Sequence, residues 1–508
     1  MTAFILVSGV FTGAHVWQET AARLAAAGAE AHTAALTGLD ASRPATGSRV
    51  DLETHIADVV GTIDAVAAAA PGRDVVLVGH DYGIHPVLGA ADRRAERVAR
   101  VVHLDAGMPR DGVPALAAIP DQELRARLAG CAAPGRTDGE LAPPADRDAW
   151  QRWGSTAEVS DAALDRLTAL AAPQPLGTLL QPLRLTGAAA AVPTTGVLCT
   201  GNGVSIEMVQ KLVDFGDPAL QALAGPSVTF FELPTGHWPM LSRPADLAGV
   251  LLRAAAGEGH RLTPAGQAGP PAHLRPFLLE VPECPRERRD HVDLHLPGTG
   301  DPRPAVVFVH GGPVPAGTRP TPRDWPTLVG YARYAAGQGV VGVTLDHRLH
   351  DVTHYGRAAA DVAAAVELVR DHPRVDPDRV ALWFFSGGGL LAADWLAAPP
   401  AWLRCLAATY PILAPLPNWG LTGHRFRPAD AVAGAGALPV VLTRAGLETP
   451  EIAATVEEFL AAAGRCAADV EVVDVPHGRH GFETLDPTDE SREAVRRAMR
   501  SVLARLTA

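Results

Sequence analysis

The sequence predicts an α/β protein of two domains in tandem, each a mostly parallel sheet covered by helices, the first with a helical cap. Three observations carry this. Short apolar, β-branched runs alternate with Ala-rich amphipathic stretches along most of the 508 residues. The alternation runs through twice, on either side of a Gly- and Pro-rich stretch at residues 257–274. Within each half the strand-like runs are continuously apolar, as suits parallel strands buried on both faces.

In the first half, residues 4–8 form the opening strand and a Gly-containing turn follows. Helices are expected over 16–27 and 52–70. Residues 74–78 make the next strand, which ends at Gly79 with a helix directly after it, and 101–104 make the one after. From about 109 to 185, prolines and helical stretches replace strands, so this segment reads as an inserted cap. Strand-like runs resume at 195–199 and 229–233. Residues 257–274 read as a linker. Beyond it, strands are expected at 305–309, 340–345, 380–383, 438–443 and 470–475, with helices such as 358–370 between them. The domains are therefore 1–256 and 275–508. They repeat a fold with little identity of residues.

Net charge is −12, with no block of Lys and Arg of the kind that tracks phosphates, so nucleic acid is not an expected partner. No run reaches the roughly 18 apolar residues of a membrane helix, and the apolar N-terminus lacks a basic leader segment. The five cysteines, Cys131, Cys199, Cys284, Cys405 and Cys466, are widely spaced and form no disulfide framework. A cytoplasmic protein acting on a small molecule, with neither membrane nor metal, is the expectation; oligomeric state is not read from the sequence.

Four stretches of the second half fall in an order that assembles a nucleophilic site. His310-Gly311-Gly312-Pro313 follows a strand, and such a turn presents backbone N–H groups to a developing oxyanion. Trp383-Phe384-Phe385-Ser386-Gly387-Gly388-Gly389 joins a strand to a helix. A nucleophile on so sharp a turn needs small neighbours, though Phe384 stands where a small residue is usual. Ser386 is the expected nucleophile, with the Gly312 and Gly387 N–H groups as oxyanion donors. Arg444-Ala445-Gly446-Leu447-Glu448 follows the strand at 438–443 and offers Glu448 as an acid, with Glu451 as the alternative. Pro476-His477-Gly478-Arg479-His480-Gly481-Phe482 follows the last strand. His480 is expected to take the Ser386 proton, since a serine hydroxyl is a poor nucleophile at neutral pH without a base. The acid holds the base in its working tautomer. His477 is read as a loop residue. His347, His350 and His354 have a spacing known in zinc sites; with no cysteine among them and a strand just before, they read as pocket lining or surface.

These motifs, with residues 345–351 (LDHRLHD) and 375–389 (VDPDRVALWFFSGGG), resemble the dienelactone-hydrolase-like branch of the α/β-hydrolase superfamily over about residues 275–508. The resemblance implies a serine esterase or lactonase with no cofactor. Dienelactone hydrolase proper uses a cysteine nucleophile, so Ser386 places the esterase-like relatives nearer.

In the first half, Val75-Val76-Leu77-Val78-Gly79-His80-Asp81-Tyr82-Gly83 puts Gly79 and Gly83 around position 81 at the same elbow spacing, and Asp81 holds the nucleophile seat. Ser8-Gly9-Val10-Phe11-Thr12-Gly13 is the expected oxyanion turn, with the N–H of Val10 or Phe11 and that of Tyr82 as donors. His237, in Pro234-Thr235-Gly236-His237-Trp238-Pro239, is the expected base. With the cap stretch at 173–187 (PQPLGTLLQPLRLTG), these residues resemble hydroxynitrile-lyase and esterase-like α/β hydrolases over about 1–256. Those relatives usually carry Ser at the elbow; the GHDYG form is similar to epoxide hydrolases and haloalkane dehalogenases.

The substitution changes the chemistry. A carboxylate attacking an ester carbonyl is itself the best leaving group of the intermediate, because its conjugate acid has a pKa of about 4. Attack at a saturated carbon opens an epoxide or displaces a halide and leaves an alkyl ester on Asp81, which water activated by His237 then cleaves. The acid expected after 195–199 is missing, the segment reading Thr200-Gly201-Asn202-Gly203; Asp105, after the preceding strand, is the candidate substitute, with a helix cap as its alternative role. Trp150 and Trp153 of the cap are expected to line the substrate pocket and offer indole N–H groups, unless they only pack the cap. A degenerate domain serving binding or structure and a non-hydrolytic lyase or cyclisation site stay open as alternatives for this half.

Overall fold

The computed structural model describes residues 2–40, 42–45, 49–130, 139–267, 269–298, 300–416, 419–421 and 423–507. Contacts within the chain divide it into two units, Met1–Gln210 with Ala219–Pro264, and Lys211–Pro218 with Ala265–Ala508. Cys131 lies outside the described residues; the other four cysteines are free thiols.

In the first unit, strands β1 (Ala3–Val7), β2 (Glu30–Thr33), β3 (Val75–His80) and β4 (Val98–Leu104) precede the cap. A short antiparallel ribbon of β5 (Glu140–Leu141) and β6 (Gln174–Pro175) lies within the cap, and β7 (Thr194–Cys199) and β8 (Val228–Leu233) follow it. The six main strands form one parallel sheet in the order β2-β1-β3-β4-β7-β8. Every residue of β1 and β3 is buried, which is why both read as unbroken apolar runs. The helix Leu52–Ala69 begins at a capping box: Asp51 Oδ1 accepts from the Thr54 N–H at 3.0 Å, and Thr54 Oγ1 accepts from the Asp51 N–H at 3.3 Å. The cap contributes the helices Gln122–Gly130, Arg147–Gln151, Asp161–Leu170 and Leu176–Leu180. Past the last helix of this unit, His260 makes a two-way backbone bridge to Phe230 of β8 (2.7 and 2.8 Å), so part of the expected linker is pinned to a strand.

The second unit carries β9 (Arg286–Arg289), β10 (Val292–His295), β11 (Arg303–Val309), β12 (Val341–Leu345), β13 (Val375–Phe385), β14 (Leu403–Thr409), β15 (Val440–Ala445) and β16 (Val470–Val475). They form one sheet, β16-β15-β14-β13-β11-β12-β10-β9, parallel except for the antiparallel edge made by β9 and β10. Four strands of the two large sheets, β2, β9, β10 and β14, escape the sequence reading. β2 (EAHT) and β9 (RERR) are polar edge strands, and Arg286 and Arg288 of β9 pair with the buried Asp293 of β10, a charged edge that discourages pairing with other chains. β14 (LRCLAAT) is Ala-rich and lacks a β-branched run.

Both units place a sharp turn at the carboxyl end of an inner strand, after β3 and after β13. Beside each lies the turn that ends the neighbouring strand, β1 or β11. The candidate sites are built there.

Candidate active sites

Ser386 follows β13 with a φ of +50°, and Asp81 follows β3 with a φ of +49°. That left-handed conformation is costly for a side-chain-bearing residue and aims it out of the turn. Close approach holds both turns. Two residues on, a Cβ at Gly388 would sit 2.6 Å from the His310 carbonyl oxygen, and one at Gly83 would sit 2.5 Å from the Ser8 oxygen. The turn after β1 and the turn after β11 are thus pressed against their elbows in the same way. Phe384 is accommodated where Gly79 stands in the first unit. The 3-10 segment that begins at Ser386 runs six residues, against three from Asp81, so the next helix starts later along the chain.

In the second unit Ser386 Oγ donates to His480 Nε2 at 2.7 Å, and His480 Nδ1 donates to Glu448 Oε2 at 2.5 Å. The Glu448 side chain is almost wholly buried, and its other oxygen accepts from the Thr449 N–H. Glu451 lies in the first turn of the helix Pro450–Cys466, and His477 is exposed beside Glu490. Gly312 and Gly387 face one another, a Cβ on Gly387 falling 2.3 Å from the Gly312 oxygen, and the Tyr355 hydroxyl donates to the Gly387 oxygen at 2.9 Å. The histidine cluster braces this turn. His347 stacks on His310 (3.6 Å between centroids) and donates through Nε2 to the His310 oxygen, while His350 donates to the Val314 oxygen. Among the described residues no group of three or more His, Cys, Asp or Glu side chains is placed to hold a metal ion.

Sequence reasoning missed three residues behind His480. The Tyr410 ring packs on the imidazole, 4.9 Å between centroids. Below it lies the buried Glu483, whose Oε1 accepts from the Tyr331 hydroxyl at 2.8 Å and whose Oε2 has no partner. Burial pushes the Glu483 carboxyl up to about 7, against the partial relief of the two phenols. Glu483 comes three residues after His480, in a stretch read only for its histidines.

In the first unit His237 Nδ1 donates to Asp105 Oδ2 at 2.6 Å, both side chains being buried. Asp105 follows β4 with a φ of +46°. Asn202 does not contact His237 as an acid would: its Nδ2 donates to Asp105 Oδ2 at 2.7 Å and lies 3.5 Å from His237 Nδ1. Burial works against a charged His237, but the Asp105 hydrogen bond and the charges of Asp105 and Asp81 outweigh it and raise its pKa. The Val10 N–H donates to Asp81 Oδ2 at 3.2 Å, whereas the Phe11 N–H is taken by Gln174 Oε1 at 3.0 Å. Of the two donors considered after Gly9, Val10 is the one aimed at the elbow. The Tyr82 side chain turns away to His55 Nδ1 (2.8 Å), leaving the backbone at the elbow.

The two cap tryptophans separate. Trp150 is fully buried and its indole N–H donates to Thr168 Oγ1 at 2.9 Å within the cap, so it cannot offer that proton to a leaving group. Trp153 packs edge-on against Phe11, 4.8 Å between centroids, beside the turn after β1. A further residue missed from the sequence is His80, between Gly79 and Asp81. It donates through Nε2 to the His237 oxygen at 2.8 Å, and burial holds its pKa down at about 4, so it stays neutral.

Comparison with known proteins agrees with this architecture. Residues 4–250 match the Alpha/beta hydrolase family, and residues 292–398 match the BD-FAE family. The chain is 32% identical over 256 residues to a carbendazim hydrolyzing esterase of Nocardioides sp. strain SG-4G, covering 49% of this chain and 97% of that protein. The chain belongs to the alpha/beta hydrolase family. Chemistry of the general esterase and hydrolase kind goes with that membership, and this hydrolase carries the architecture in both units. It is also 40% identical over 136 residues to esterase PIR7B of Oryza sativa subsp. japonica, spanning 46% of that protein. Among solved structures, an extracellular alpha/beta-hydrolase from a Paenibacillus species aligns with 50% of the hydrolase and 99% of its own chain, at 21% identity and a TM-score of 0.38. The cytoplasmic expectation does not stand: free, widely spaced thiols report the absence of a disulfide framework, not a compartment, and the Paenibacillus neighbour is described as extracellular. Among the described residues no helix is long and apolar enough to cross a membrane.

Proposed function

We propose that the hydrolase carries two sites of different chemistry, a serine carboxylic-ester or lactone hydrolase in residues 275–508 and an aspartate-nucleophile hydrolase in residues 1–256, joined through 257–274. The observation that carries the reading is the relay Ser386 Oγ–His480 Nε2–His480 Nδ1–Glu448 at 2.7 and 2.5 Å, with Ser386 on a left-handed elbow. Ser386 Oγ adds to the acyl carbon as His480 Nε2 takes its proton. The oxyanion sits at the Gly312 and Gly387 N–H groups. The alcohol leaves with the proton from His480, and water deprotonated by His480 then releases the acid and restores Ser386.

In the first unit an Asp81 oxygen attacks a saturated carbon, expelling a halide or opening an epoxide whose alkoxide takes a proton from solvent water. A second water, deprotonated by His237, adds to the Asp81 carboxyl carbon, and the alcohol or diol departs with the proton from His237, restoring the Asp81 carboxylate. Support comes from Asp81 at the elbow, the Val10 N–H on its carboxylate, and the Asp105–His237 pair.

A second reading of the first unit has its own observation. The curated relatives are named esterases, and the oxyanion donor Val10 is already engaged by Asp81. On this reading the unit binds a carbonyl compound without turning it over.

Intact-protein mass spectrometry separates these. Fluorophosphonate is expected to add to wild type and not to Ser386→Ala. Epoxide and alkyl halide panels are expected to leave an alkyl adduct on Asp81 in His237→Gln. Labelling that persists in Ser386→Ala sinks the second-unit assignment. No adduct in His237→Gln, with ester ligands bound and unreacted, favours the binding reading.

A further inference from the structure

The geometry points to Asn202 as a positioning residue that couples the cap to the Asp105–His237 pair, an inference that rests on the reading of Asp81 and His237 as a working site. Asn202 stands where an acid is expected, yet it is fully used. Its Oδ1 accepts from the Ser155 N–H of the cap at 2.8 Å, and its Nδ2 donates to Asp105 Oδ2 at 2.7 Å. The same Asp105 oxygen receives the His237 Nδ1–H at 2.6 Å. Ser155 N–H demands an acceptor and the Asp105 carboxylate demands a donor. A side-chain amide supplies both from one planar group; a carboxylate supplies only acceptors, and a leucine neither.

The cap segment on the other side of Asn202 lies directly on the histidine loop. The His237 N–H donates to the Ser155 oxygen at 2.7 Å, and the Gly236 N–H donates to the Ala157 oxygen. A Cβ on Gly154 would fall 2.4 Å from His237 Cγ, so this backbone is the lid over the imidazole. Glu158 then anchors the segment through two hydrogen bonds from Arg243, at 2.6 and 2.7 Å. The charged groups acting on His237 are Asp105 and Asp81, with neutral His80 alongside; the cap contributes only backbone and Ser155 at this contact. Disturbing Asp105 therefore reaches the cap through Asn202, and disturbing the cap reaches His237 through Asn202 as well as through the direct backbone contacts.

The test exchanges the two groups. Cap seating is read by hydrogen exchange of the peptide covering residues 147–160, and His237 by titration in 13C-histidine-labelled full-length protein, assigned with His237→Gln. Asp105→Asn removes the charged acceptor, and Asn202→Asp sets two carboxylates against each other. Each alone is expected to speed cap exchange about tenfold, and Asp105→Asn to bring His237 below 6.5. Asp105→Asn combined with Asn202→Asp restores one donor, one acceptor and one carboxylate within reach of His237 Nδ1. It is expected to return exchange to within about twofold of wild type and His237 to above 6.5. Cap exchange unchanged in Asp105→Asn, or a double variant no better than its parents, overturns the coupling. Neither readout involves a substrate, so failure here is distinct from failure of the Asp81 chemistry.

Discussion

Glu483→Gln isolates the energetic consequence of burying a carboxyl behind His480. The buried Glu483 carboxyl accepts from the Tyr331 hydroxyl, and burial, against the partial relief of its own backbone N–H and the Tyr331 and Tyr410 phenols, lifts its pKa from 4.5 to about 7. A group raised in the folded state adds stability that is fully present below pH 4.5 and is lost as pH rises through about 7. At roughly 1.4 kcal/mol per pH unit, wild type should lose about 3 kcal/mol across that window relative to a residue that cannot ionise. The glutamine brings an amide whose unpaired donors cost about 1–3 kcal/mol, but this offset is independent of pH. The slope, not the offset, is the test. Urea unfolding read by hydrogen exchange of peptides from residues 470–506 reports the second unit alone. Between pH 5 and 8 the Glu483→Gln variant should gain on wild type and then level off. A constant difference across that range, or a wild type that gains with pH, would refute a carboxyl held protonated by burial.

Three further outcomes follow from the geometry. Glu448→Gln leaves the site's shape but fixes the wrong His480 tautomer, so ester turnover should fall by about 10³–10⁴ while the fluorophosphonate-reactive serine stays Ser386, as peptide mapping would verify. Gly388→Ala places a methyl 2.6 Å from the His310 oxygen, and should cost about 1–3 kcal/mol, visible in urea unfolding, together with at least a tenfold slower labelling of Ser386. In the first unit the raised pKa of His237 adds stability present below pH 6.5 and lost as pH rises through the folded value. In Asp105→Asn burial governs instead and the dependence should reverse, with stability lost on acidification, as unfolding at pH 5 and 8 would reveal.

Much of the site is legible in the sequence because its members sit at the ends of apolar strands, where a hydrophobic run stops abruptly in Gly, Ser, Asp or His. Ser386, His480 and Glu448, and likewise Asp81, His237 and Asp105, lie within such punctuation, and folding brings each trio together. The charged edge strands and the Ala-rich β14 hide because strand patterning reflects burial and β-branching rather than hydrogen bonding. Trp150 shows a second limit. Its residue type suggests a donor to substrate, but only the fold tells that Thr168 takes the indole proton. Tyr331, Tyr410 and Glu483 come from three separate stretches of chain and have no local signature at all.

The two units solve one problem with opposite assignments. Two strand ends flank the histidine in each: β4 and β7 in the first, β14 and β15 in the second. The residue after the strand nearer the elbow is left-handed in both, Asp105 at a φ of +46° and Tyr410 at +35°. Three residues after the farther strand stand Asn202 and Glu448. A buried imidazole needs one carboxylate on Nδ1, and a second one beside it would be driven to take up a proton. Whichever position carries the acid, the other must be uncharged at neutral pH. The first unit puts its acid on the near strand and fills the far position with an amide. The second puts its acid on the far strand, where the longer glutamate reaches Nδ1, and fills the near position with a phenol that packs on the ring. Asn202 is on this account a requirement of the Asp105 placement rather than the relic of a lost acid.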